Sequence, residues 1–486
     1  MTDDLWFLSA TELARLILRR KVSSTEVVQI HLDRIERLNP ALNAVVTLDA
    51  ERALARAREA DLALARKKVW GPLHGVPFTC KDTLATAGLR TTASHPPLAD
   101  YVPSTDATVV ARMKNAGAIL LGKTNLPQLA LDSQSNSPIF GVTKNPWNPA
   151  RTPGGSSGGE AAAISAGLSP LGLGSDMGGS VRLPAHFCGL FAFKPTEHVV
   201  PKTGHIPPLP GSINTARLML TIGALSRDPS DLALALKIMT GPDDLDTDVA
   251  PVDFRSSPPP PIERLRLAWT DQFGGIPVAP EMGKRLGELI EDLTRAGCRC
   301  EKQSPSILDF DFEEAWKTYG ELMAFTLFPV LPAPAHWAFK VLHAFRSDDP
   351  LMEGVVRVGK LTVRRYLETL AERDRLIGGL EKFLAKHDAW LCPVASAPAD
   401  PIRKAFRPQK QIVVAGNKIP YGLAYLGYTA PFNLTGHPAV TLPFGRTEGL
   451  PFGLQVVGPR WSDFRLLALA QSLVPFTGEF ERPPGF

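Results

Sequence analysis

The stretch Thr152–Thr196, TPGGSSGGEAAAISAGLSPLGLGSDMGGSVRLPAHFCGLFAFKPT, decides how the chain is read. It holds two glycine-framed serine sites, Gly154-Gly-Ser-Ser-Gly-Gly159 and Gly178-Gly179-Ser180. A small-residue segment, Glu160–Ala166, reads as a helix between them, and Leu171–Leu173 as a short buried strand. Glycine permits positive φ and close approach of other groups. Two serines presented in this way place hydroxyls and bare backbone N–H groups around a reacting carbonyl. One such loop is an ordinary turn; two flanking a single helix–strand unit point to chemistry.

Upstream, Gly71-Pro-Leu-His-Gly-Val-Pro-Phe-Thr-Cys-Lys81-Asp82 ends an apolar run on a lysine. Burying an ammonium is costly. Lys81 is therefore either a strand-end residue that reaches water or Asp82, or a desolvated base. The paired serine loops favour the base.

Two other motifs match by letter and fail by context. Gly117-Ala-Ile-Leu-Leu-Gly-Lys-Thr124 fits the phosphate-loop pattern, but Ala118–Leu121 reads as a buried strand and Pro127 blocks a following helix. Ser156 and Ser157 each fit the nucleophile-elbow pattern. That elbow needs a preceding strand, and Asn145–Pro153 carries three prolines. His437, the natural third member of a Ser-His-Asp set, sits in a turn-like Gly-His-Pro.

Away from these motifs, helices alternate with short apolar runs, which predicts an α/β fold. The expectation is one large domain with a central mixed, twisted sheet covered by helices on both faces. Residues 1–70 read as an N-terminal helical segment packing on the core. It has two helices within 9–38, the second opened by a Ser23/Glu26 capping box and ended by Asn39-Pro40, and a third helix over Glu51–Lys67. Residues 71–486 read as the catalytic domain, with a helical, cap-like region at about 310–385.

Composition narrows the class. Of 486 residues, 44% are hydrophobic, enough for a large core, and the formal charge is only +4. No basic block with interleaved aromatics supports nucleic-acid binding. Five cysteines, an odd and sparse set, fit a reducing compartment and a cytoplasmic protein. Cys298-Arg-Cys300 is too close for a zinc pair and no histidine cluster joins it, so no metal is expected. The N-terminus does not read as a secretory signal, and no segment reads as a transmembrane helix.

Together these residues resemble the amidase signature family of amide hydrolases. The resemblance is strongest over Gly71–Thr196 and recurs at Thr429–Pro443 and Gly449–Pro459. Gly154–Glu160, with Asn145-Pro-Trp147 and Phe187-Cys-Gly189, is most similar to fatty-acid-amide-hydrolase-like members. The resemblance implies a Ser-Ser-Lys triad. Ser180 would be the nucleophile, Ser156 the bridging serine on a cis Gly155–Ser156 bond, and Lys81 the base. It implies an oxyanion hole from the N–H groups of Met177, Gly178, Gly179 and Ser180, with Ser157, Asp176 and Arg182 in support. Asp176 and Arg182 read equally as a structural ion pair.

The triad implies an acyl-enzyme route with water and a small-molecule substrate, and no metal or organic cofactor; a homodimer is compatible with the sequence. The same route serves amides, carbamates (urethanes) and esters. A rival reading is the glutaminase subunit of a tRNA-dependent amidotransferase. Two departures count against it. Leu131–Ser137 lacks the Gly-Ser-Ser-Thr-Glu-Asn-Ser pattern of that subunit, and Leu426 replaces an acidic residue that holds glutamine's amino group. A binding protein without catalysis is disfavoured by the intact triad positions. Apolar Leu322–Phe345, with Trp337 and Phe339, reads as core or as the lining of an acyl or aryl pocket. On the pocket reading, Asp132, Ser133 and Gln134 border the leaving-group side as substrate-binding residues.

Overall fold

Among the described residues, eleven short strands, most of them apolar, pair into one mixed sheet. The computed structural model describes residues 5–252, 257–308, 310–330, 349–358, 361–403 and 411–486. The sheet strands are β1 (Val45–Leu48), β2 (Pro77–Lys81), β3 (Ile119–Thr124), β6 (Leu171–Asp176), β7 (Phe191–Lys194), β8 (Thr221–Ser226), β9 (Arg266–Trp269), β10 (Arg299–Lys302), β11 (Ala389–Pro393), β14 (Ala439–Thr447) and β15 (Leu450–Val457). Their spatial order is β1-β3-β2-β6-β8-β7-β14-β15-β11-β9-β10. Two small ribbons lie outside it: β4 (Asn136–Ser137) with β5 (Gly141–Val142), and β12 (Gln411–Val414) with β13 (Asn417–Pro420).

Alternation along each strand builds two cores, because successive side chains leave a strand on opposite faces. Leu267, Leu391 and Val456 face one way, against Leu232, Leu289 and Leu469 from flanking helices. Their neighbours Ala268, Trp390, Cys392 and Val457 face the other way, against Phe312, Trp316, Leu376 and Leu380. Helices thus cover both faces, as the alternating pattern predicts.

Several expectations are corrected in detail. The N-terminal segment is not purely helical: Val45–Leu48 pairs antiparallel with β3 as an edge strand. Four residues between two helices are too short a run to show alternation. The Ser23/Glu26 capping box is present, but the helix Ser24–Leu42 passes through Pro40 and stops at Asn43, which takes the left-handed conformation. A proline this close to a helix end forfeits little, and the Asn39 side chain accepts from the N–H of Ala44 and Val45. Strands β7, β8 and β10 add to the expected set; β7 and β8 are buried along their whole length and show no alternation.

The region at 310–385 holds the helices Phe312–Leu327, Pro350–Arg357 and Val363–Leu384, while 331–348 lies outside the described residues. Within it, Leu322, Ala324 and Phe328 are buried inside the helical layer, as ordinary core. An aromatic cluster fastens this layer to the sheet. Phe273 stacks on Phe312 at 4.3 Å and meets Trp390 at 5.4 Å and Tyr428 at 4.6 Å between ring centroids.

The site follows from strand direction. In this mixed sheet, β3, β2 and β6 run parallel. Their carboxyl ends therefore emerge along one edge, the usual place for a ligand crevice in an α/β sheet. Lys81, Thr124 and Asp176 each end one of these strands. The helix Gly158–Ser165 starts beside them, clamped where the Gly159 N–H donates to Asn125 O at 3.1 Å. A Cβ at Gly159 would lie 2.4 Å from both Asn125 N and Asn125 O. Gly159→Ala is therefore expected to lower stability by about 1–3 kcal/mol, read as a lower chemical-denaturation midpoint. An unchanged midpoint would show that the helix start is free to shift.

Candidate active site

Lys81 reaches the site as the last residue of β2, fully buried. Its Nζ donates to Ser156 Oγ at 2.7 Å and Ser175 Oγ at 3.0 Å, with Ser175 O at 3.4 Å. It does not pair with Asp82, whose carboxylate instead accepts from the Thr92 N–H and hydroxyl. Burial lowers the Lys81 ammonium from its ordinary 10.5 to about 7, although Asp176 and Glu160 pull it upward. Glu160 carries the opposite shift. Burial raises its carboxyl to about 7, against hydrogen bonds from the Thr124 and Thr79 hydroxyls and the charges of Lys123 and Lys81.

The first serine loop carries a cis Gly155–Ser156 bond. It is braced from below by Ser135, whose hydroxyl donates to Gly154 O and accepts from the Gly158 N–H, both at 3.0 Å. Ser157 precedes the helix Gly158–Ser165; its hydroxyl donates to Ser175 O at 3.4 Å. Its backbone N–H donates to Ser180 O at 3.1 Å, which ties the two serine loops together. Ser180 itself is half-buried.

The second loop is shaped by Asp176. That carboxylate accepts from the N–H of Gly179 at 2.8 Å and of Val181 at 3.0 Å, folding the chain back on the end of β6. It also pairs with Arg182 through Nη2 at 2.9 Å and Nε at 3.1 Å, both side chains being fully buried. Burial by itself would raise the Asp176 carboxyl. The Arg182 charge and hydrogen bonds, with the Val181 N–H, outweigh burial and hold it well below the carboxylate range. Arg182 Nη1 donates to Thr429 O at 3.1 Å and Gln455 Oε1 at 2.7 Å, and Nη2 also donates to Asn433 Oδ1. All five guanidinium N–H groups thus have acceptors, which is what a buried arginine requires.

Among the described residues the N–H groups of Met177, Gly178 and Ser180 meet no acceptor, and they are free for a ligand oxygen. Gly179 is the exception among the four expected oxyanion donors: its N–H is already taken by Asp176. Both glycines are required by close approach. A Cβ at Gly178 would lie 2.4 Å from the Tyr319 hydroxyl, and one at Gly179, where φ is +130°, 2.4 Å from Thr429 Oγ1.

Asp132, Ser133 and Gln134 lie against the first loop: a Cβ at Gly155 would come within 2.7 Å of their backbone. Gln134 Oε1 accepts from the Arg403 N–H at 3.0 Å, and the Tyr421 hydroxyl lies 3.4 Å from Asp132 Oδ1. Other sequence candidates stand apart. Lys123 lies within β3 and donates to the Thr86 and Thr91 hydroxyls, so no phosphate loop exists there. His437 contacts Thr435 Oγ1 at 2.8 Å and Glu381 at 3.2 Å, and no serine. Trp337 and Phe339 lie outside the described residues.

Sequence reasoning did not single out Ser135, Ser175, Tyr319, Asn433 or Gln455. Ser175 had a local signal, beside Asp176 in the second motif. Asn433 and Gln455 lie in the two C-terminal stretches that carry the resemblance, but their attachment to Arg182 spans 251 and 273 residues. Tyr319 had no local signal.

A family model described as Amidase matches residues 26–467. A glutamyl-tRNA(Gln) amidotransferase subunit from Moorella thermoacetica is 34% identical over 498 residues, covering 99% of each chain. A solved structure of 6-aminohexanoate cyclic dimer hydrolase with substrate aligns at a TM-score of 0.80 and 28% identity, covering 99% of both chains. A solved fatty acid amide hydrolase shares the fold, with a TM-score of 0.80 at 23% identity over 99% of this chain and 86% of that one. The matches extend through the parallel strands, both serine loops and the C-terminal segments that hold Arg182. The chain therefore belongs to the amidase signature family and is an amide-hydrolysing enzyme.

Proposed function

We propose that Ser180 forms an acyl-enzyme with a carboxylic amide whose acyl or aryl part is apolar, with Ser156 and Lys81 relaying protons. The observation that carries this reading is the 2.7 Å contact between a buried Lys81 Nζ and Ser156 Oγ. The neutral amine takes the Ser156 proton while Ser156 takes the Ser180 proton, and Ser180 Oγ bonds to the carbonyl carbon. The N–H groups of Met177, Gly178 and Ser180 receive the oxyanion; losing one such donor typically costs about 2.7–4 kcal/mol of barrier. When the C–N bond breaks, Ser156 hands its proton to the leaving nitrogen and regains one from Lys81. Water, deprotonated through the same relay, then cleaves the ester and frees Ser180. Asp176 and Arg182 hold the second loop in shape, Ser157 ties the loops together, and Asp132, Ser133 and Gln134 border the leaving group. Carbamates and esters fit the same relay.

A serine-directed fluorophosphonate is expected to label Ser180, and Ser180→Ala to lose roughly 10⁴-fold or more of kcat with folding intact. Labelling at Ser156 or Ser157 would overturn the assignment. Because the base must be neutral, kcat/KM is expected to rise with pH and level off above about 7, where Lys81 loses its proton. Lys81→Arg is expected to be inactive, since arginine stays charged. A flat profile from about pH 5 to 8, or an active arginine variant, would remove Lys81 from the base role.

The second reading, a glutaminase that works within an amidotransferase, is favoured by the 34% identity to the Moorella protein. Leu426 argues against it. Its Cδ2 lies 3.8 Å from a Cβ built at Gly178, so an apolar group stands where a charge would hold glutamine's amino group. Each buried methylene is worth roughly 0.8 kcal/mol. A hydrophobic anilide is therefore expected to exceed glutamine in kcat/KM by at least about a hundredfold. A ratio near one would revive the glutaminase.

A further inference from the structure

Tyr319 lies in the helix Phe312–Leu327, a residue with 6% of its surface exposed. The helix is held firmly. Trp316 Nε1 donates to Gly427 O at 2.9 Å one turn earlier, and Phe312 stacks on Phe273 at the helix start. This places the Tyr319 hydroxyl at the oxyanion loop, so close to Gly178 that a Cβ there would sit 2.4 Å away. The Gly178 carbonyl is already taken by the Thr429 hydroxyl. Among the described residues the Tyr319 hydroxyl has no hydrogen-bond partner. A tyrosine hydroxyl in such a position normally finds one, and this oxygen is not among the sealed polar atoms that no ligand could reach.

The two flanks of Ser180 differ in chemistry. The side of the first serine loop, tied to Ser180 O through the Ser157 N–H, carries Ser156 with Lys81 and Ser175 hydrogen-bonded in series. The other carries Tyr319, Leu426 and Thr429, all against Gly178 and Gly179. Under the proposed relay, Ser156 returns a proton to the leaving nitrogen, so the leaving group lies on the Ser156 flank. The acyl group then lies along Tyr319 and Leu426.

We propose that Tyr319 is a specificity-determining residue that donates a hydrogen bond to an oxygen on the acyl side of the substrate, close to the reacting carbonyl. The inference rests on the acyl-enzyme reading above. It names a substrate class: acyl groups that are apolar overall but carry one alkoxy or carbonyl oxygen beside the scissile carbonyl. Leu426 packs on the apolar part, and Tyr319 meets the oxygen. Burial raises the Tyr319 phenol above its ordinary value, with Asp176 adding to the effect, so it stays a neutral donor.

The test pairs two p-nitroanilides of matched shape, methoxyacetyl and butanoyl, each normalised to its rate with hydroxide. The wild-type enzyme is expected to favour the methoxyacetyl substrate in kcat/KM by at least about tenfold, since a site built to hydrogen-bond an oxygen rejects the analogue that lacks it. Tyr319→Phe is expected to bring the ratio close to one. A ratio unchanged by the substitution, including an equal fall for both substrates, would overturn the inference. Fluorophosphonate labelling in the same preparation separates the two levels. An enzyme labelled at Ser180 whose ratio ignores Tyr319 loses only this inference; one that is not labelled there and cleaves neither anilide loses the acyl-enzyme reading as well.

Discussion

The buried pair of Arg182 and Asp176 is the constraint on which the rest of the site depends. Two opposite charges with no solvent exposure are tolerable only when every remaining donor and acceptor is met. Here that requirement recruits the end of β6, the turn that presents Ser180, the segment at Thr429 and Asn433, and Gln455 on β15. Removing one partner of such a pair typically costs about 3–5 kcal/mol, because an uncompensated charge is left behind. The pair therefore shapes the turn that bears Ser180.

Lys81 shows the reverse use of burial. It has three oxygen neighbours and no carboxylate in contact, so desolvation decides its state. The nearby negative charge of Asp176 would favour the ammonium, but that charge is neutralised by Arg182. Glu160, the other carboxyl acting on it, is itself raised toward neutrality by burial. Near pH 7 the lysine can thus exist as a free amine on a sheet edge lined with polar groups.

What was legible in the sequence was local. Glycines frame both serine loops because close neighbours leave no room for side chains, and that need writes itself into adjacent letters. Lys81 could be read because it ends an apolar run. The α/β class followed from helical stretches alternating with short apolar runs such as β11 and β15. What could not be read was carried by contact across the chain. Asn433 and Gln455 are unremarkable polar residues until Arg182 folds against them. Tyr319 is one aromatic among many until the helix that bears it is fastened over Gly178. β1 was too short to show a period, and Pro40 sits near enough to a helix end to be accommodated.

The same long reach has a consequence for synthesis. Lys81, the turn at Ser180 and the acceptors for Arg182 come from the first, middle and last parts of the chain. Contacts separated so widely close late, because each must overcome the entropy of a long loop. A growing chain exposes both serine motifs well before β15 exists, yet Arg182 then lacks Gln455 and the Thr429 segment. A ribosome-bound or truncated chain accordingly carries the signature without its geometry, and hydrolytic competence is among the last properties the molecule acquires.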